Sequence, residues 1–257
     1  YQSARVFNQP LDNWDVSNVT HMDDVFNNAW EFNGNIDNWD VSNVIKMHEM
    51  FRDARVFNRD ITGWTITSLT DMSGMFWNAL VFNQNLNGWN VSNVTNMNNV
   101  FRNADSFNQP LNTWDTSNVE YLSGTFSAND AFNQDLSNWD TSSVIQMQNT
   151  FLNNTVYNNG QSSGVSNTLL WDTPSLTRLD NMFENAVAFN GNITGWDVSG
   201  VTQMDRMFAG ASVFNQDLSN WDTSSATTLQ GMFSGATIFN NGLSAGVSST
   251  IMNWDTS

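Results

Sequence analysis

Apolar positions recur along this chain with a period of 25 residues, far longer than the period of a single helix or strand. Tryptophans mark the period most clearly: Trp14, Trp39, Trp64, Trp89, Trp114 and Trp139. After intervals lengthened by 7 and 8 residues, the same series includes Trp171, Trp196, Trp221 and Trp254. Self-similarity at a fixed period of roughly 20–50 residues is typical of stacked repeats.

Within one repeat the apolar residues predict one strand and one helical turn. Trp14 and Val16 enclose the polar Asp15, which is the two-residue period of a short half-buried strand. The next apolar residues are spaced by three, three, one and three positions: Val19, Met22, Val25, Phe26 and Ala29. That spacing favours a short helix or 3-10 turn. We therefore predict an α/β solenoid, a leucine-rich-repeat-like stack of about ten coils, each with a short parallel β-strand and a short helix or 3-10 turn.

Two rows of aromatic residues accompany the tryptophans. The first row follows a Met, Val or Thr: Phe26, Phe51, Phe76, Phe101, Phe126, Phe151, Phe183, Phe208 and Phe233. The second row precedes an Asn, with Tyr157 as its one variant: Phe7, Phe32, Phe57, Phe82, Phe107, Phe132, Phe189, Phe214 and Phe239. Because a single repeat cannot bury such rings by itself, we expect neighbouring repeats to bury them for one another.

The repeat motif resembles a known family. From Phe82 to Ala104 the chain matches nearly every position of Phe-Asn-Gln-x-Leu-x-x-Trp-Asp-Val-Ser-Asn-Val-Thr-x-Met-x-x-Met-Phe-x-x-Ala. This motif is similar to the BspA-like leucine-rich repeats, and more narrowly to the 25-residue repeat abundant in mycoplasma lipoproteins and other bacterial surface proteins. The resemblance implies an extracellular protein at the cell surface, often an adhesin or interaction module, and supplies no catalytic residue.

The register predicts one repeat array over residues 1–257, with loops inserted near 158–166 and 240–248. The chain begins and ends within a coil, so we interpret it as an internal excerpt of a longer array. Gly, Asn and Ser are dense in both inserts, which indicates loops. Extra loops on one edge of a solenoid are typical binding sites, so we predict that the two inserts contact a partner. An equal alternative is that the inserts are only a longer form of the repeat. The candidate partner-binding residues are Asn159, Gly160, Gln161, Ser162, Asn241, Gly242, Leu243 and Ser244.

Charge narrows the range of partners. The chain has 25 acidic and 8 basic residues, giving a formal net charge of −17, and no cysteine. Nucleic acids and anionic lipids need a cationic surface, so neither is expected as a partner. The sequence contains no apolar run near the ~20 residues of a membrane span, so this segment is not expected to insert into a membrane.

A row of aspartates that follows the tryptophans is the one candidate for a metal. The calcium hypothesis rests on Asp115, Asp140, Asp172, Asp197 and Asp222, because carboxylate oxygens are ligands of calcium. The favoured alternative is that each Asp side chain hydrogen-bonds its own backbone two residues on, as Asp-x-Ser turns do. The Asn row after the second Phe is predicted to bond the backbone of the next coil.

Catalysis needs a unique group of nucleophile, base and orienting residue, and every notable Asp and Ser here is repeated many times. We therefore predict no enzymatic activity, no catalytic residue and no cofactor other than the calcium left open above. Two hypotheses of function remain. The first is an extracellular adhesion or protein-interaction scaffold that binds a protein or glycan on another surface. The alternative is a self-assembling structural subunit of an extracellular filament or sheath, whose partners are further copies of itself.

Overall fold

The computed structural model describes residues 4–243. Within these residues it contains no helix and two short strands, β1 Asn167–Thr168 and β2 Gly191–Asn192. The strands pair in parallel, with Asn167 opposite Gly191 and Thr168 opposite Asn192. Since the described part has no helix, it offers none that could cross a membrane.

A second set of parallel contacts joins each repeat to the next through one residue. We call these residues the bridge row: His21, Lys46, Asp71, Asn96, Tyr121, Gln146, Arg178, Gln203 and Thr228. Backbone hydrogen bonds flank each bridge, such as Ile45 N–H to the carbonyl of Thr20 at 2.7 Å and Met22 N–H to the carbonyl of Lys46 at 2.8 Å. The parallel pairing therefore lies after the Ser-Asn-Val segment, whereas the sequence predicts a strand at the Trp-Asp-Val segment.

The segment expected to be a helix or 3-10 turn is a series of reverse turns. Asn27 N–H donates to the carbonyl of Asp24 at 3.1 Å, and Ala29 N–H donates to that of Phe26 at 3.0 Å. Asp24 and Asn28 have φ angles of 58° and 60°. The three-residue apolar spacing suits such turns as well as it suits a helix, but the left-handed residues reverse the winding, so the turns do not continue into a helix.

The remaining N–H groups of the same segment point to the neighbouring repeat. Phe26 N–H donates to the carbonyl of Met50, and Asn28 N–H donates to that of Arg52, at 2.9 and 2.8 Å. The two left-handed positions recur in every later described repeat, mostly as Asn, Asp or Gly, the residue types that tolerate this conformation. The left-handed positions thus let the backbone alternate between bonds within a repeat and bonds to the next repeat.

The core lies between the turns as columns of aromatic rings. Phe26 stacks on Phe32 of the next repeat at 3.8 Å and on Phe51 at 5.5 Å between ring centroids. Trp39 stacks on Trp64 at 6.4 Å, and its indole N–H donates to the carbonyl of Leu11 at 3.0 Å. The predicted burial of both Phe rows is confirmed, with partial exposure only at Phe7, Phe233 and Phe239 near the ends of the described region.

These observations describe repeats that hydrogen-bond and stack directly on their neighbours in sequence. The assignment to the leucine-rich-repeat-like solenoid class stays a prediction, as does the reading of residues 1–257 as one array. Trp254 and most of the second insert lie outside the described residues.

Candidate functional site

The Asp row that follows the tryptophans forms hydrogen-bonded turns. Asp40 Oδ1 accepts from Ser42 N–H at 3.1 Å and from Ser42 Oγ at 2.6 Å. The same pair of bonds occurs at Asp15, Asp115, Asp140 and Asp197. The bond from the Ser42 side chain, followed by that from its backbone, lowers the pKa of Asp40. These turns are the alternative to calcium that the sequence analysis favoured.

The calcium hypothesis itself stays a prediction. Among residues 4–243, no three His, Asp or Glu side chains come close enough together to hold a metal ion. Asp172 departs from the row because Pro174 stands where the other repeats with Asp have Ser, and proline has no N–H to donate.

The inserts begin with an Asn whose side chain is buried. Asn159 Oδ1 accepts from Leu136 N–H at 2.8 Å, and its Nδ2 donates to Ser137 Oγ at 2.8 Å. Asn241 Oδ1 accepts from Leu218 N–H, also at 2.8 Å. Asn159 and Asn241 are only 3% and 6% exposed. The structure therefore gives these two candidate partner-binding residues an internal role that the sequence analysis did not predict.

The next residues of both inserts are exposed or half-buried, and their backbone is held in the same way. Gly160 N–H donates to Asn133 Oδ1 at 3.1 Å, and Asn133 Nδ2 donates to the carbonyl of Gln161 at 3.0 Å. In the second insert Gly242 N–H donates to Asn215 Oδ1, and Asn215 Nδ2 donates to the carbonyl of Leu243, at 3.1 and 2.9 Å. The side chains of Gln161 and Ser162 face solvent, while Ser244 lies outside the described residues.

A strip of polar side chains runs along the bridge row. The residue two positions after each bridge residue lies beside it: Asp23, His48, Ser73, Asn98, Ser123, Gln148, Asp180, Asp205 and Gln230. We call these two rows together the polar groove. Clefts lined by both rows open at its two ends, one around Lys46, His48 and Asp71 and the other around Arg178, Asp180 and Gln203.

The cleft around Arg178 has a volume of about 440 Å³ and is lined by both positively and negatively charged side chains. The guanidinium of Arg178 donates to both carboxylate oxygens of Asp180, each at 3.1 Å. Arg206 pairs with Glu184, whose hydrogen bond and negative charge raise the pKa of Arg206. Paired charges beside neutral amides such as Gln203 suit a polar ligand that forms many hydrogen bonds.

The cleft at the other end is built around His48. The backbone N–H of His48 donates to Asp23 Oδ1 at 3.0 Å, and its ring Nδ1 lies 2.7 Å from Ser73 Oγ. The side chains of adjacent repeats are thus linked across the groove. The sequence analysis missed this groove, although a signal was present: the residue at the bridge position changes from repeat to repeat while its apolar neighbours stay nearly constant.

The two tryptophans outside the 25-residue register lie between arginines. Trp30 has the guanidinium of Arg5 at 4.1 Å and that of Arg55 at 4.2 Å from its ring centroid. Trp77 is placed in the same way between Arg52 and Arg102, at 3.9 and 4.8 Å. Exposed contacts of this kind contribute about 0.5–1 kcal/mol each. Half of the 8 basic residues in the chain are therefore used in contacts between repeats.

Repeats of 25 residues, lengthened at two places by inserts and bonded and stacked in sequence order, define the class as a tandem-repeat protein. The chain belongs to the family described as Mycoplasma protein of unknown function, DUF285, whose model matches residues 1–97, 85–170 and 161–257. No curated protein and no solved structure gives a significant match to the chain.

Proposed function

We propose that this protein is a non-enzymatic scaffold on the outer surface of the cell, and that it binds a protein or glycan through the polar groove. The mycoplasma family supports this proposal together with the resemblance to BspA-like and other 25-residue surface-protein repeats. The proposal moves the binding surface from the inserts to the groove, because the inserts are held tightly by their own repeat array.

The observation that carries the proposal is the variation of the bridge row. Its nine positions hold eight residue types, from Lys46 and Arg178 to Asp71 and Tyr121. Exposure alone does not explain such variation, since the exposed Asp row keeps Asp in seven of its nine described positions. The Asp row is constrained by its turns, whereas among the bridge side chains only Asp71 and Asn96 form such a turn, by accepting from the N–H of Ser73 and of Asn98. The other seven bridge side chains hold no turn of this kind. Their chemistry is therefore free to suit a ligand.

The chemistry of the groove indicates the class of ligand. Positive and negative groups alternate with amides and hydroxyls along it, and apolar side chains are few. Binding sites of this kind recognise hydroxyl-rich or amide-rich partners through many directional hydrogen bonds. Glycans and polar protein loops fit this description, while an apolar small molecule does not.

The test compares two double variants. Tyr121→Ala with Gln203→Ala removes two groove side chains without creating an unpaired charge. Thr65→Ala with Ser225→Ala changes two exposed side chains on the Asp-row face and serves as the control. Both variants and the parent are applied to a panel of immobilised glycans and to intact host cells. We expect the groove variant to lose at least tenfold in affinity and the control to bind as the parent does. Equal binding by all three proteins would refute the groove as the site.

A further inference from the structure

One corner of each repeat carries a track of Asn side chains beside a second row that is aliphatic except at Glu31 and Ser106. Asn58 Oδ1 accepts from Asn83 N–H at 3.0 Å, and the same bond links the whole row. The row consists of Asn8, Asn33, Asn58, Asn83, Asn108, Asn133, Asn158, Asn190, Asn215 and Asn240. These bonds confirm that the row bonds the backbone of the next repeat. We call this Asn row, with the side chains two residues before each Asn, the corner track.

The first insert covers part of the corner track. Three consecutive Asn side chains donate through Nδ2 to its backbone carbonyls: Asn133 to Gln161 at 3.0 Å, Asn158 to Ser162 at 2.5 Å and to Val165 at 2.9 Å, and Asn190 to Gly164 at 2.9 Å. Neighbouring repeats lie ~4.8 Å apart where their backbones pair. The insert therefore runs along the stack, held by one Asn from each repeat that it crosses.

The aliphatic side of the track also contacts the insert. Gly164 N–H donates to the carbonyl of Ala188 at 3.0 Å, and a Cβ atom at Gly164 would lie 3.6 Å from Cβ of Val213. The φ angle of Gly164 is 71°, a conformation that suits glycine. The track thus binds this segment through its backbone and selects small residues where it approaches the aliphatic side chains.

The same corner is uncovered in the repeats before the insert. Val56 and Val81 are 44% and 42% exposed, and Glu31 and Ser106 occupy the same position in the repeats on either side of them. Four Asn side chains there use Oδ1 for the row, yet their Nδ2 groups donate to no acceptor within residues 4–243: Asn33, Asn58, Asn83 and Asn108. The uncovered part therefore presents the same donors in the same order as the part that the insert occupies.

We propose that the uncovered corner track, from Asn33 to Asn108, binds a polypeptide segment of small uncharged residues, folded into turns and supplied by another molecule. The occupant is of the kind that residues 160–165 provide within the chain. Within the insert the chain forms two consecutive turns, in which Gln161 N–H donates to the carbonyl of Asn158 and Val165 N–H donates to that of Ser162. The track is separate from the polar groove, so this inference does not depend on the proposed function.

The test uses a synthetic peptide with the sequence of residues 160–166, Gly-Gln-Ser-Ser-Gly-Val-Ser. It is titrated to millimolar concentration into the isotope-labelled protein, and the side-chain NH₂ signals of the four Asn residues are followed by NMR. We expect these signals to shift together. Replacing Gly164 of the peptide by Arg should abolish the shifts, because the left-handed conformation of this glycine strains any residue with a Cβ atom and a long side chain would meet the valines.

A variant protein isolates the Asn donors. The triple change Asn33→Asp, Asn58→Asp and Asn83→Asp keeps the Oδ1 acceptor of the row and removes the NH₂ group, so we expect at least a tenfold loss in peptide affinity. The matched control, Asn13→Asp with Asn138→Asp and Asn220→Asp, adds the same charge at exposed positions before three tryptophans. It should bind the peptide as the parent does.

Three outcomes decide the matter. Absence of any shift at the four Asn signals would overturn the proposal, and so would equal affinity of the triple variant and its control. If the parent and the control variant self-associate while the triple Asn→Asp variant does not, that result would support the proposal and would identify the bound segment as one from a second copy of the chain. The groove variant Tyr121→Ala with Gln203→Ala should leave peptide binding unchanged, which keeps failure of the two proposals distinguishable.

Discussion

The repeats before the first insert and those around it have the same aromatic core but differ in what their surface side chains bind. In the earlier repeats Phe76 stacks on Phe101 at 5.7 Å, and in the later ones Phe183 stacks on Phe208 at 5.8 Å. At the corner, however, Asn58 offers free donors while Asn158 holds the insert. The aromatic core therefore stacks in the same way whichever side chains lie on the surface, because the core rows and the surface rows occupy separate positions of the repeat.

The distribution of charged residues also differs between the first part of the chain and the rest. Six of the eight basic residues lie before residue 105, and four of these stack on Trp30 or Trp77. Immediately after them come Asp105 and Asp130, in the same position of adjacent repeats. Partial burial, followed by the negative charge of Asp130, raises the pKa of Asp105. Residues 1–104 contain 11 acidic and 6 basic residues, whereas residues 105–257 contain 14 acidic and only 2 basic ones, so the later part of the chain is the more acidic.

The largest expected effect comes from removing a core ring, and it tests whether the core contributes equally to the stability of the two regions. Phe101→Ala and Phe183→Ala each remove a ring that is fully buried. We expect each to lower the free energy of unfolding by about 3–5 kcal/mol and to split the unfolding of the array into two steps. Thermal and denaturant unfolding of both variants measures this. If either variant melted within a degree of the parent, that Phe would not belong to the core.

A smaller effect should distinguish the insert-bearing region. Asn159→Ala leaves the buried N–H of Leu136 without its acceptor, so we expect a loss of about 1–3 kcal/mol. Gln84, which occupies the equivalent position in an insert-free repeat, is half-exposed and bonds Asn58. Gln84→Ala should therefore cost less than about 1 kcal/mol. Urea unfolding compares the two; equal losses would show that Asn159 has no special role in seating the insert.

The Asp turns should respond to pH in both regions alike. Bonds from Ser42 and Ser142 lower the pKa of Asp40 and Asp140 in the folded protein. A carboxyl with a lowered pKa stabilises the fold above its unfolded value near pH 4, and this contribution is lost as the pH falls through the folded pKa.

Ser142→Ala should therefore reduce stability at pH 7 by a few tenths of a kcal/mol, because the pair faces solvent. It should also make the decline of stability below about pH 4 shallower. Melting temperatures of the parent and of Ser142→Ala between pH 7 and pH 2 check both effects. A decline of the same steepness in the two proteins would mean that this turn does not carry the pH response.

The smallest expected effect concerns calcium. Since bonds from a Ser two residues on already occupy Oδ1 in the Asp row except at Asp172, a chelator should leave the melting temperature unchanged. The comparison is sharpened by Thr65 and Asn90, which interrupt the row in the earlier repeats only. If millimolar calcium raised the melting temperature, and if Asp172→Asn and Asp197→Asn reduced that rise, the calcium hypothesis would replace the turns as the explanation of the row.

Much of the stacking could be predicted from the sequence by itself. The 25-residue register identified the buried Phe rows, the bonds of the Asn row to the next repeat and the Asp-x-Ser turns. These features follow from local chemistry: a large ring must be buried somewhere, and Asp before Ser bonds its own backbone in most surroundings. A feature repeated ten times is also easier to recognise than one that occurs once.

Only the tertiary structure decided how the backbone joins one repeat to the next. The spacing of Met22, Phe26 and Ala29 suits a helix and a series of turns equally, and the left-handed conformations of Asp24 and Asn28 separate the two. Likewise, the sequence places Asn159 in a loop, whereas in the structure its Oδ1 accepts a hydrogen bond from the buried N–H of Leu136. Apolar periodicity determines which residues are buried, whereas the N–H groups that join repeats bond acceptors 23 or more positions away, such as Asn159 Oδ1 for Leu136 N–H, and no local pattern contains those acceptors.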